Sequence, residues 1–212
     1  AGAKQFSHKL QHILKRYNRI HDKLLQELPA DQSFNMPLTS RNNTVRYIYF
    51  RHRQDTDLAT QFYTLLSTYL LAILTDRALI VDNEEYKQMM CEPFTRSSWF
   101  ASEILFKDTD MIPKNLNQAL STRRPIRAVQ LDFTDYQFRA ILQCSGNLKE
   151  AFSHVQWLVI DDNVGQFVNL MFANTAHDQY LWELFPSGAV IAPLYHSLIH
   201  PSNQIWQDIP AL

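Results

Sequence analysis

Apolar side chains at Phe6, Leu10, Ile13, Leu14, Tyr17, Ile20, Leu24 and Leu25 recur at helical spacing, with Lys4, Lys9, Lys15, Arg16 and Lys23 on the other faces. The spacing predicts a helix from about Lys4 to Leu28. A polar stretch containing Pro29 and Pro37 runs on to Thr44 and reads as a loop. Residues 45–51 (Val-Arg-Tyr-Ile-Tyr-Phe-Arg) are β-branched and aromatic and predict a strand. A polar turn at 54–57 leads into a strong helix, Leu58 to Thr75, with Asp55 or Asp57 as its N-cap. Ala78 to Val81 is an uninterrupted apolar run, the pattern of a buried parallel strand. Strand, helix and strand in close succession make a βαβ unit.

Beyond that unit the pattern loosens. Tyr86 to Pro113 reads as short surface pieces. Arg127 to Leu131 is a candidate strand, and Trp157 to Ile160 is a buried one ending at Asp161-Asp162. Helices are predicted at 167–172, at 177–185 up to Pro186, and at 189–200 up to Pro201. The alternation predicts an α/β domain with a mostly parallel sheet flanked by helices. The first helix is either an appendage or lies across that sheet. The division expected is an N-terminal helix and loop, 1–44, and a Rossmann-like domain, 45–212.

Composition narrows the chemistry. The chain has 212 residues, 46% hydrophobic and 19% charged, which can fill a sizeable core and excludes collagen-like, disordered and disulfide-scaffold classes. A net charge of -1 gives no reason to expect nucleic acid as a partner. Only four glycines occur, scattered, so no glycine-rich phosphate loop is present. No run reaches the length needed to span a bilayer, and 62–74 reads as a core helix. The start at Ala1, without a basic-then-apolar leader, reads as a mature or trimmed form. Cys91 and Cys144 are either two buried thiols or one disulfide. Asn42-Asn43-Thr44 is an acceptor triplet for N-glycosylation at Asn42, which points towards the secretory pathway.

The candidate chemical groups each carry two readings. His196 and His200 have the spacing of a zinc pair if 189–200 is helical, but no HExxH accompanies them, and no metal site is expected. No GxSxG occurs, which argues against a nucleophile-elbow hydrolase. Asp161-Asp162-Asn163 closes a strand where α/β folds hold ligands, or else caps the next helix. Arg51-His52-Arg53, at another strand end, meets a phosphate or sugar acid, or is simply solvated.

Several stretches carry a resemblance. Cys91-Glu92-Pro93-Phe94 followed by Ser98-Trp99 resembles the "CEPFPGTSW" signature of the xyloglucan fucosyltransferase family. Residues 200–206 (His-Pro-Ser-Asn-Gln-Ile-Trp) are similar to its "HPTNQVW" segment, and 74–82 to its "LTNRVLLVD" strand. Cys144, the 157–163 stretch and Phe185-Pro186 follow in the family's order, the latter two resembling "WLIMKSDN" and "LFP". The match runs roughly from Tyr47 to Trp206.

The resemblance implies one lobe of a GT-B transferase, the acceptor-side half. Such enzymes move fucose from GDP-fucose to a glycan with inversion, in the Golgi lumen, without a metal or other cofactor. The donor-binding C-terminal domain is absent from these residues, so the chain alone is expected to be inactive. Asp57, Asp162 and His196 are the candidates for activating an acceptor hydroxyl. Arg51, Arg53, Thr60, Gln61, Asn163, Tyr195, His200, Asn203 and Trp206 are the candidates for donor or acceptor contact. Trp99, like Trp206, either stacks on a sugar or belongs to the core. The family's "GLGNR" turn is replaced by 57–61 (Asp-Leu-Ala-Thr-Gln), and its "HHLGRYLFHP" arginine by His196 beside Tyr195. Both changes remove groups suited to a phosphate. They favour either a divergent transferase or a non-catalytic carbohydrate-binding or interaction domain on the same scaffold.

Overall fold

The computed structural model describes residues 7–26, 46–53, 56–94, 96–101, 126–131, 133, 136–144 and 146–202. Asn42, Asn203 and Trp206 lie outside the described residues, as does the whole loop at 29–44. In chain order the elements are α1 (His8–Gln26), β1 (Tyr47–Arg51), α2 (Leu58–Thr75), β2 (Ala78–Asp82), α3 (Glu84–Met89) and β3 (Ile126–Gln130). They are followed by α4 (Tyr136–Cys144), α5 (Leu148–Ala151), β4 (Val155–Asp161), a 3₁₀ turn (Asp162–Val164), α6 (Val168–Phe172), α7 (Asp178–Leu184) and α8 (Ile191–Leu198).

The four strands form one sheet in the order β2-β1-β4-β3, and every pairing is parallel. β1 is central and buried along its whole length. Alternation divides its side chains between two cores. Ile48 and Phe50 join the larger one with Leu79, Val81, Leu158 and Ile160 against α2. Tyr47 and Tyr49 join the smaller one with Ile80, Trp157 and Val159, against which Leu24 and Leu25 of α1 pack.

α2 is buried for most of its length, so its hydroxyls must be satisfied inside the protein. Ser67, Thr68 and Thr75 each donate to the carbonyl four residues back, at 2.7 or 2.8 Å. Thr64 and Ser67 also accept from the backbone N–H of Gly165 (2.7 Å) and Phe167 (3.1 Å). These bonds pin the turn after β4 onto α2. At 18 residues and mean hydropathy 1.3, α2 is apolar and long enough to cross a membrane, contrary to the sequence expectation that no segment is. Because 72% of it is buried inside the fold, it serves as a core helix here.

α1 packs against β2, the edge strand. Tyr17 Oη accepts from Leu79 N–H at 3.1 Å, and His21 Nε2 lies 2.9 Å from Leu79 O. The next outward-facing residue of that edge is covered differently: Val81 N–H donates to Trp99 O at 2.7 Å, and Ala101 N–H to Val81 O at 2.9 Å. An edge strand left open would be a template for association, and here side chains and a short parallel bridge close it.

Arg77 has no exposed surface, yet no carboxylate is among its hydrogen-bond partners. Its guanidinium donates to the carbonyls of Tyr47 (3.3 Å), Gln156 (3.0 Å), Phe152 (2.6 Å) and Val155 (2.8 Å), tying together the starts of β1 and β4. Burial lowers its pKa to about 9, which leaves it charged at neutral pH.

Two sequence expectations are corrected and one open alternative is decided. Cys91 and Cys144 are neither buried nor bridged: both are exposed free thiols, one in the loop after α3 and one at the end of α4. Trp99 is fully buried and belongs to the core. α8 ends at Leu198, so His196 and His200 do not share a helix. α3, α4 and α5 were not anticipated. α3 buries only Tyr86 and starts because Asn83 Oδ1 accepts from Glu85 and Tyr86 N–H, a local signal with no apolar period behind it.

Substituting Arg77→Met should cost about 3–5 kcal/mol in urea unfolding, because buried carbonyls lose their donor. Arg77→Lys should lose less, retaining the charge but not the fork that reaches separate carbonyls.

Candidate functional site

In this strand order the connections leave β1 towards β2 on one side and join β3 to β4 on the other, so the switch point lies between β1 and β4. Open α/β sheets hold ligands at the carboxyl ends of the strands beside such a point. Here Arg51 is in register with Asp82 on one neighbour and Asp161 on the other, giving a row of charges across three strand ends.

On the face carrying the smaller core, Asp161 is the hub. Arg51 Nε donates to its Oδ1 at 2.7 Å, while Arg53 Nε (3.0 Å) and Gln130 Nε2 (2.9 Å) donate to Oδ2. The Arg51 and Asp161 side chains are 7% and 11% exposed, so this pair is screened little by solvent. Tyr49 donates to Asp82 beside them. Arg51 Nη1 and Gln130 Oε1 are buried without a hydrogen-bond partner among the described residues.

On the α2 face, His52 Nδ1 lies 2.7 Å from Asp162 Oδ2, and Arg53 N–H donates to Asp162 Oδ1 at 3.0 Å. Asp162 is fully buried, whereas the His52 side chain is 28% exposed. Burial raises the Asp162 pKa, opposed by the hydrogen bonds from His52 and Arg53. Asn83 and Gln61 lie alongside, with Asn83 Nδ2 3.4 Å from both His52 Nδ1 and Gln61 Oε1. Tyr86 stacks on Phe62 with centroids 5.4 Å apart, and Phe62 meets the Tyr195 ring edge-on at 6.5 Å. Burial raises the Tyr86 pKa, with Asp162 and Glu85 adding to it. An aromatic path therefore runs from exposed Tyr195 to the dyad.

The structure thus brings together Arg51, Arg53, Gln61 and Asp162, whereas Tyr195 is linked to them only through the rings of Phe62 and Tyr86. Asp57 and Thr60 sit at the start of α2, where the carboxylate is an N-cap accepting from Thr60 N (2.9 Å) and Thr60 Oγ1 (2.6 Å). That bonding, the hydroxyl's first, lowers the Asp57 pKa. Asn163 is exposed in the 3₁₀ turn, and His196 is exposed on α8 against the Tyr195 ring. His200 is exposed, and its carbonyl accepts from Cys91 N–H at 2.7 Å. Two of the motif stretches, 91–99 and 200–202, therefore meet directly. His52 was read only within the charged cluster Arg51-His52-Arg53, and Asn83, Gln130 and Tyr86 were not singled out as site residues. Three of the four stand at or just after a strand's carboxyl end, a signal usable only once the strand order is known.

The fold is a parallel α/β lobe with charged strand ends, and comparison with known proteins shows what it is similar to. The xyloglucan fucosyltransferase family model matches residues 7–110. Probable fucosyltransferase 4 of Arabidopsis thaliana is 27% identical over 198 residues, covering 87% of this chain and 36% of that protein. The same plant's galactoside 2-alpha-L-fucosyltransferase is 29% identical over 167 residues, covering 70% of this chain and 29% of that protein. The structure of Arabidopsis thaliana FUT1 mutant R284K in complex with GDP superposes with TM-score 0.72 at 24% identity, covering 96% of this chain and 48% of that one. The chain is thus similar to xyloglucan fucosyltransferases over most of its length. It spans about a third of the length of these curated relatives and about half of the solved chain.

Replacing Asp161 by Asn should cost about 3–5 kcal/mol in urea unfolding, since it strands the buried Arg51 charge. Arg53→Ala, with its side chain 42% exposed, should cost below about 1 kcal/mol in the same measurement.

Proposed function

We propose that this chain is the N-terminal, acceptor-side lobe of a fucosyltransferase-like enzyme of the GT-B type. It acts in the Golgi lumen of the secretory pathway on a glycan, with GDP-fucose as donor bound mainly by a second lobe. The observation that carries this reading is the row of charged residues at the switch-point strand ends, on a fold that covers about half of a fucosyltransferase solved with GDP. In such a reaction the acceptor oxygen displaces GDP at the anomeric carbon with inversion. Positive charge grows on the fucosyl ring and negative charge on the departing phosphate. Positioning and fixed charges supply most of the acceleration.

The lobe's contribution is to hold the acceptor over the strand ends. Exposed Asn163 and Tyr195 offer polar and stacking contacts to a sugar. Arg51 and Gln61 are buried in internal bonds and support the surface from below. A non-catalytic carbohydrate-binding module is the second reading. It is favoured by Asp57 and Thr60, which spend their polar groups capping α2 where the family has its glycine turn.

Calorimetric titration of the chain with a galactose-terminated xyloglucan oligosaccharide should show binding, and incubation with GDP-fucose and that oligosaccharide should show no transfer. Turnover by these residues alone would refute the single-lobe assignment.

A further inference from the structure

We infer that His52 receives the proton of the acceptor hydroxyl, with buried Asp162 as its positioning residue; this rests on the acceptor-lobe reading above. A carboxylate only accepts, so the 2.7 Å contact from Asp162 Oδ2 places the ring proton on His52 Nδ1. The lone pair of the neutral ring is then on Nε2, which has no hydrogen bond among the described residues. The carboxylate cannot swing away. Its Oδ1 is held by Arg53 N–H at 3.0 Å, and the Asp162 carbonyl lies 2.9 Å from the Thr64 hydroxyl on α2. The main chain at His52 is fixed as well, its backbone N–H donating to Asp82 O at 3.0 Å. The pair sits at the carboxyl ends of β1 and β4, with the imidazole reaching solvent and the carboxylate fully enclosed.

The groups facing the pair do not compete for the role. Arg51 and Arg53 both direct their guanidinium groups to Asp161. Asn83 offers an uncharged amide, and Tyr86 on α3 is a buried phenol whose proton is held more tightly than usual.

In the transfer step the acceptor O–H bond breaks as its oxygen bonds to the anomeric carbon of fucose. The proton passes to His52 Nε2. The bond from that carbon to the phosphate oxygen breaks, its electron pair leaving with GDP. The imidazolium, steadied by the Asp162 carboxylate, afterwards returns its proton to water.

The test is a titration of the chain, ¹⁵N-labelled at histidine, with the galactose-terminated xyloglucan oligosaccharide. The neutral His52 ring should show the Nδ1–H tautomer, and Asp162→Asn should remove that bias. Saturating sugar should shift the Nε2 resonance, and His52→Gln should weaken binding about three- to tenfold, the worth of one hydrogen bond. A His52 that merely latches its loop would leave Nε2 unmoved. Sugar binding with Nε2 unchanged overturns the assignment and leaves the acceptor lobe standing. Absence of any sugar binding overturns both.

Discussion

Two arginines are kept charged and out of water at opposite ends of the same strand pair, and the geometry of the lobe depends on that. Arg77 draws carbonyls from the starts of β1 and β4 onto one guanidinium. Arg51 joins their ends through Asp161. Taking such ions from water costs several kcal/mol each, recovered only where the donors meet well-placed acceptors. Arg51 and Asp161 must therefore stay in register, and that register sets where His52, Arg53 and Asp162 emerge.

The two arginines solve the problem differently. Arg77 relies on neutral carbonyls, so its charge is diluted over dipoles and burial lowers its pKa. Arg51 faces a full carboxylate that also serves Arg53 and Gln130. The first arrangement suits a scaffold, because nothing is left for a ligand. The second lies at the strand ends, where buried Arg51 Nη1 and Gln130 Oε1 have no partner among the described residues.

Most residues carrying the family resemblance turn out to be structural. Arg77 is the arginine of the strand motif, and Trp99 fills the core. Glu92 takes the hydroxyl of Ser98 and the N–H of Trp99. Met90 and Pro201 form an antiparallel bridge that unites the two distant motif stretches. These positions hold the lobe together, while the loop between β1 and α2, which departs from the family, borders the proposed chemistry.

Hydrophobic period was enough to place α1, α2, all four strands and the last three helices, because each buries a face whose spacing is local. It was enough, too, to identify the α/β class and the charged ends at 51–53 and 161–163. Strand order was beyond its reach. That β1 lies between β2 and β4 follows from packing among segments some hundred residues apart, and only this order joins Arg51 to Asp161 and His52 to Asp162. The fate of the cysteines, the burial of Trp99 and the pairing of His52 were likewise decided by tertiary neighbours. A side chain's partners depend on what the fold brings within about 3 Å, and no local pattern encodes that distance.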